Sequence, residues 1–260
     1  ADQPLYEPAP GATPIWHQTT VVGLFADHSD INRIVHQLQQ SCGIELLTDW
    51  QVEKLDDQKW ETAWMENFHA MRFGTRLWIC PSWENVTDPD AIVINLDPGL
   101  AFGTGTHVTT ALCLEWLDEH FISNKQVIDY GCGSGILSIA AVKLGAQHVW
   151  AVDNDPQAIQ ATQENAEKNS VTDRLSICLP DALPVLEADI LIANILANPL
   201  LELASHFALL VRTGGYIVLS GILAEQQQSV LQAYQPWFDI KSIKQSQDWL
   251  RLEGTRKAGV

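Results

Sequence analysis

The hydrophobic pattern splits the 260-residue chain into an irregular N-terminal third and a long alternating remainder. Near the start, Val21 to Phe25 reads as a short strand and Asp30 to about Gln40 as a helix. Asp30 is placed to cap that helix, and Ile31, Ile34, Val35 and Leu38 recur on one helical face. Ile44 to Leu55 reads as a second strand. Asp57 to Phe68 reads as a helix with Trp60, Trp64 and Phe68 at i, i+4, i+8, a stripe suited to core packing. Leu77 to Cys80 and Ala91 to Leu96 read as strands, followed by a Gly-rich run from Asp97 to His107. A helix follows that run, with Thr106 as its expected cap.

From Lys125 the pattern changes to a regular alternation. Strands are predicted over Gln126 to Tyr130, Val149 to Asp153, Leu175 to Leu179, Ile190 to Ala193 and Tyr216 to Ser220. Helices are predicted between them over Gly135 to Leu144, Pro156 to Asn169 and Pro199 to about Leu210, with Asn198 as the start of the last. A polar helix, Ala224 to Tyr234, and a closing strand pair, Phe238 to Lys244 and Trp249 to Glu253, end the chain. Strand–helix alternation of this kind predicts a parallel sheet with helices on both faces.

Composition narrows the class. Apolar residues make up 46% and charged residues 18%, a globular balance. No apolar run approaches a membrane span, and Ala1 to Pro14 is Pro-rich and acidic, unlike a secretory signal. The five cysteines, at 42, 80, 113, 132 and 178, are scattered without a CxxC pair, which predicts reduced thiols in a cytoplasmic protein. The net charge is -17, and no Lys or Arg occurs between Arg76 and Lys125 or between Arg174 and Arg212. A nucleic-acid binder needs cations to displace phosphate counterions. This balance predicts a cationic partner, with no direct nucleic acid and no membrane; solubility alone would also explain it.

Four segments carry candidate chemistry. In Val127-Ile128-Asp129-Tyr130-Gly131-Cys132-Gly133-Ser134-Gly135, an apolar strand ends in an acid and a glycine turn opens a helix. Glycines let backbone approach a ligand at the strand's carboxyl end, and the helix N-terminus offers N–H groups. Ile136 stands where a dinucleotide fingerprint would need glycine, so the spacing is the methyltransferase variant. The next strand ends at Asp153, where an acid can accept both ribose hydroxyls of a nucleoside. Asp155 competes for that role, but Asp155-Pro156 has the form of a helix cap and first residue. A later strand ends at Asn194, whose amide oxygen can accept from an incoming amine and aim its lone pair. In the Gly-rich run no Lys follows the glycines, so it is not a phosphate loop of the Walker kind. Thr109 and Thr110 follow it in the first helical turn. His107 lacks the acid-rich or His-rich neighbours of a metal site, and none is predicted.

Together LDPGLAFGTGTH (Leu96 to His107), VIDYGCGSGILSIAA (Val127 to Ala141), ANILANPL (Ala193 to Leu200) and ETAWMENFHAMRFG (Glu61 to Gly74) closely resemble the PrmA family. These are methyltransferases of large-subunit ribosomal protein eleven. The resemblance implies a Rossmann-like class I methyltransferase domain with a seven-stranded, mostly parallel sheet, using S-adenosylmethionine. It implies cofactor contacts at Thr110, Gly131, Asp153 and Asn194, with Asn194 also catalytic. It implies methylation of lysine ε-amines and an N-terminal α-amine on the ribosomal protein; a monomer is expected. Family members begin with a ferredoxin-like α+β substrate domain, of which this sequence is expected to hold only the later part. The expected organisation is a partial substrate-recognition domain over 1–56, a connector helix and strand over 57–82, and the catalytic domain over 83–260. An RNA base-amine methyltransferase is the alternative, although Asn194-Ile195-Leu196-Ala197 lacks the prolines and aromatic that would stack a base. A non-catalytic cofactor-binding module is the other.

Overall fold

A computed structural model describes residues 22–26, 28–42, 51–53, 68–97 and 107–259. It divides into two units, Ala1–Met65 and Glu66–Val260.

In the first unit, α1 spans Ile31–Cys42. Asp30 caps it, its Oδ1 accepting from the Arg33 N–H at 3.1 Å. The strand expected at Val21 to Phe25 is a correction: Val22 to Phe25 have no strand structure, and Val22 and Leu24 are more than 80% exposed. A strand is held by a neighbour, and no described residue pairs with this one. The second strand and the aromatic helix expected at Ile44 to Phe68 fall mostly outside the described residues. Gln51 to Glu53 are described and are not in a strand.

The second unit holds two sheets. The smaller joins β1 (Met71–Phe73), β2 (Leu77–Cys80) and β3 (Ile92–Asn95), antiparallel then parallel. Strand β1 escaped the sequence pattern because three residues show no period. The turn between β1 and β2 needs Gly74, at φ +65, because a Cβ there would overlap the Asp118 carboxylate.

The larger sheet is seven-stranded. Its strands are β4 (Gln126–Tyr130), β5 (His148–Val152), β6 (Leu175–Cys178), β7 (Ala188–Asn194), β8 (Val211–Leu223), β9 (Phe238–Ser246) and β10 (Trp249–Arg256). Their order is β6-β5-β4-β7-β8-β10-β9, parallel except for β10, which runs antiparallel to both neighbours. Helices α2 (Val108–Glu119), α3 (Ile136–Lys143) and α4 (Pro156–Lys168) contribute to one core, around Leu114, Trp116, Ile139 and Ile192. Helices α5 (Ala197–Leu210) and α6 (Gln227–Tyr234) contribute to the other, around Leu200, Phe207, Tyr234 and Leu191. Consecutive residues Ile190 to Ala193 alternate between the two cores, which is the two-residue period of a strand covered on both sides.

Two caps differ from expectation. Helix α5 starts at Ala197 with Leu196 at its cap, so Asn198 lies inside the first turn. Helix α2 is capped by His107, whose side chain accepts from the Thr109 N–H, while Thr106, the expected cap, lies outside the described residues.

Candidate functional site

The chain leaves β4 for β5 and β6 on one side, then returns to place β7 on the other. That reversal opens a crevice at the carboxyl ends of β4 and β7, where ligands of such sheets bind. Each strand end there delivers one of the singled-out residues.

Strand β4 delivers the glycine turn. Gly131, Gly133 and Gly135 have φ of 84, 55 and 78, a region that disfavours side chains. The Gly131 and Cys132 N–H groups donate to Val152 O at 2.7 and 3.0 Å, fixing the turn to the end of β5. A Cβ on Gly131 would overlap the Ile195 side chain, so this turn and the β7–α5 corner are in direct contact. Ile195 also presses on Gly221, where a Cβ would overlap its backbone.

Asp129, just before the turn, is fully buried. Its Oδ2 accepts from Ser138 N (2.9 Å) and Ser138 Oγ (2.6 Å), while its Oδ1 has no hydrogen-bond partner. Burial, outweighing the Ser138 bonds, pushes its pKa up to about 6.

Strand β5 delivers Asp153, half-buried. Its Oδ2 accepts from the Gly133 N–H at 2.9 Å and its Oδ1 from the Asp155 N–H at 3.0 Å. Each carboxylate oxygen keeps further acceptor capacity. Asp155 caps α4, accepting from Gln157 N–H at 2.9 Å with Pro156 at the first helical position. The Asp155 carboxylate is thus engaged as a helix cap, as the sequence pattern expected.

Strand β7 delivers Asn194. Its Nδ2 donates to Thr110 Oγ1 at 3.3 Å. Thr110 is 1% exposed, and its neighbour Thr109 bonds His107 Nδ1 instead, at 2.7 Å. The geometry thus separates the two threonines that the sequence left equivalent. The His107 ring meets Trp249 edge-on, with centroids 5.1 Å apart, and its pKa is lowered by burial. The rest of the Gly-rich run, Pro98 to Thr106, lies outside the described residues.

Sequence reasoning missed Asp181. It sits exposed on the short Pro180–Ala182 turn that follows β6, next along the row of strand ends from Asp153. The Asp153 N–H donates to Cys178 O at 3.3 Å, which joins those two strand ends. Burial and then the charge of Asp181 push up the Tyr130 phenol pKa. The available signal was position: an acid two residues past the predicted strand end at Leu179, on the strand that follows the one ending at Asp153.

The arrangement fits a nucleoside that carries hydroxyls and an amine. The glycine turn offers backbone without side chains, and Asp153 and Asp181 offer acceptors for hydroxyls and an amine. Among the described residues, no three His, Cys, Asp or Glu side chains cluster to hold a metal ion.

The PrmA family model, described as ribosomal protein L11 methyltransferase, matches residues 1–257. The chain belongs to this family. The ribosomal protein L11 methyltransferase of Marinobacter nauticus is 54% identical over 268 residues, covering 100% of this chain and 88% of the relative. That of Methylococcus capsulatus is 55% identical over 257 residues, covering 98% and 88%. The crystal structure of ribosomal protein L11 methylase from Lactobacillus delbrueckii subsp. bulgaricus is 34% identical, with a TM-score of 0.65, over 73% of this chain and 100% of that one. PrmA membership and the order of the seven-stranded sheet agree: the second unit is a class I methyltransferase fold. Among the described residues, no helix is long and apolar enough to cross a membrane.

Proposed function

We propose that this chain transfers methyl groups from S-adenosylmethionine to amino nitrogens of ribosomal protein L11, at lysine ε-amines and the N-terminal α-amine. The observation that carries this reading is the Asn194–Thr110 pair at the end of β7. Thr110 engages the amide nitrogen, which turns the amide oxygen toward whatever approaches from the other side. An oxygen accepts from an amine N–H, and the nitrogen lone pair is then directed away from Asn194 at a fixed angle.

The glycine turn and Asp153 are the groups suited to hold the cofactor, with Asp153 accepting from the ribose hydroxyls. When bound, S-adenosylmethionine supplies a methyl group on a positively charged sulfur, a leaving group that needs no acid catalysis. The protein's task is then alignment and exclusion of water. Asn194 positions the nucleophile, and the contact of Ile195 with Gly131 keeps that oxygen at a set distance from the cofactor turn. The segments around the site that lack Lys and Arg suit a basic protein substrate.

Incubation with radiolabelled S-adenosylmethionine, purified ribosomal protein L11 and bare ribosomal RNA tests the reading. Label is expected on the protein. Label on RNA alone would establish the base-methylating alternative, and binding of cofactor without transfer would leave a non-catalytic module.

A further inference from the structure

The glycine turn has no side chains to set its own shape, since positive-φ glycines move between many conformations at little cost. Its shape is set from outside, by α4. Thr162, which is 0% exposed, donates its hydroxyl to Gly133 O at 2.9 Å. One helical turn on, Asn165 Nδ2 donates to Ser134 O at 2.8 Å. Asp153 takes the Gly133 N–H from the other side. Gly133 is thus held at both its backbone N–H and its carbonyl, and the Ser134 carbonyl is tied as well.

The peptides are trans and planar, so a carbonyl drawn toward α4 turns the following N–H away from it. Thr162 therefore turns the Ser134 N–H away from α4. The next N–H, of Gly135, closes the turn on Cys132 O at 2.8 Å. Helix α4 is itself fixed. Asn169 Oδ1 accepts from Asn95 N–H, and its Nδ2 donates to Asn95 O, both at 2.8 Å, so the helix cannot slide along β3. The Thr162 methyl also sits where a Cβ on Gly135 would go, which locks the helix face against the turn.

We propose that Thr162 and Asn165 are positioning residues for the cofactor: they aim the backbone of the glycine turn without touching the ligand. This rests on the cofactor reading given above. It assigns a role to the helix behind the motif, where the motif residues alone would be expected to fix affinity. The hydroxyl of Thr162 and the amide of Asn165 act on binding of the nucleoside moiety, which is common to substrate and product cofactor. They have no contact with Asn194 or the acceptor amine, so the methyl-transfer step itself is unaffected.

The test uses calorimetric binding of S-adenosylhomocysteine to the full chain, with steady-state kinetics and thermal melting alongside. Thr162→Val keeps the shape and removes the hydroxyl; Thr162→Ser keeps the hydroxyl and removes the methyl. Thr162→Val is expected to weaken binding and raise KM for S-adenosylmethionine by about tenfold, with kcat and KM for the ribosomal protein within twofold of wild type. Thr162→Ser is expected to bind within threefold of wild type. Asn165→Ala, at a half-buried position, is expected to repeat the Val pattern and serves if the Val variant does not fold. Wild-type affinity in the folded Val or Ala variant overturns the proposal. So does equal weakening by Val and Ser, which would assign the site to packing alone. Failure of the wild-type chain to bind S-adenosylhomocysteine would instead sink the cofactor reading.

Discussion

Asn194 and Thr110, 84 residues apart in sequence, meet through a 3.3 Å hydrogen bond from Nδ2 to Oγ1. The bond makes the amide directional. Thr110 is buried in the first turn of α2, and His107, which caps that turn, fixes the turn's own orientation. The Asn194 amide is therefore held in one orientation, and under the function proposed above an oxygen held in this way would align the amine without reorganisation during reaction.

Asn194→Ala is expected to slow methyl transfer by on the order of a hundredfold or more, the usual effect of losing a positioned hydrogen bond in the transition state. Cofactor affinity should fall far less than turnover. Asn194→Asp keeps an acceptor but adds a charge that favours the protonated, unreactive amine, so its activity should recover mainly at alkaline pH. Single-turnover methylation of the ribosomal protein across pH measures both. Wild-type turnover in the alanine variant would end the aligning role.

Thr110→Val tests the partner of that bond. The swap keeps the branched shape and removes the oxygen that holds the amide, at a position only 1% exposed. Turnover is expected to drop by about tenfold, the cost of roughly one hydrogen bond, with the melting temperature changed by only a few degrees. Thr109→Val should be milder for turnover, because Thr109 bonds His107 and not Asn194. If the two variants exchanged rank, the amide would be oriented by something other than Thr110.

The alternating part of the chain was legible because period and punctuation agreed there. Gln126–Tyr130 was placed residue for residue, and the Asp155-Pro156 cap separated Asp153 from its neighbour. Asn194 was legible as a polar residue ending a buried apolar run. The pairing of Thr110 with it was not, because choosing between Thr109 and Thr110 needs the end of β7 brought against that helix start. Asp181 was hidden for the same reason, since the closeness of β6 to the Asp153 strand end comes from sheet order and not from local sequence. The first strand failed at Val22 to Phe25 because alternation gives a strand only where a neighbour exists.

Gly221→Ala is expected to damage the site from behind. Gly221 has φ +83, and an added Cβ would overlap the backbone of Ile195, which cannot turn aside as a side chain could. The strained φ adds roughly 1–2 kcal/mol. Ile195 would be driven out of its seat against Gly131, and Asn194 with it. Turnover should fall at least tenfold more than cofactor affinity. Retention of full activity would show that the β7–α5 corner tolerates movement.

Two buried acids should give the protein opposite pH responses. Asp118 is 5% exposed and accepts from Thr75 N–H and Oγ1 at 2.5 and 2.8 Å and from Arg76 Nε at 3.2 Å. Burial alone would raise its pKa, but these bonds outweigh burial and hold it below the usual range. Its contribution is present above its unfolded pKa, about 4, and is lost as pH falls through the lower folded value. Asp129 behaves in reverse. Its folded pKa of about 6 lies above the unfolded value, so the native state binds the extra proton between about pH 4 and pH 6. Stability from this group is full below pH 4 and declines as pH rises through 6, by on the order of 3 kcal/mol for a shift of about two units. Asp129→Asn removes the titration while keeping an oxygen for Ser138. Its new amide nitrogen would stand where Oδ1 now lacks a partner, so the absolute stability of the variant is a poor guide and the slope is the readout. Urea unfolding from pH 2 to 7 should show wild type losing stability relative to Asp129→Asn as pH rises from about 4 to 7, while Asp118→Asn should flatten only the acid limb below about pH 4. Parallel pH curves for wild type and Asp129→Asn would mean that the Asp129 carboxyl titrates alike in the folded and unfolded chain, and would overturn the raised value.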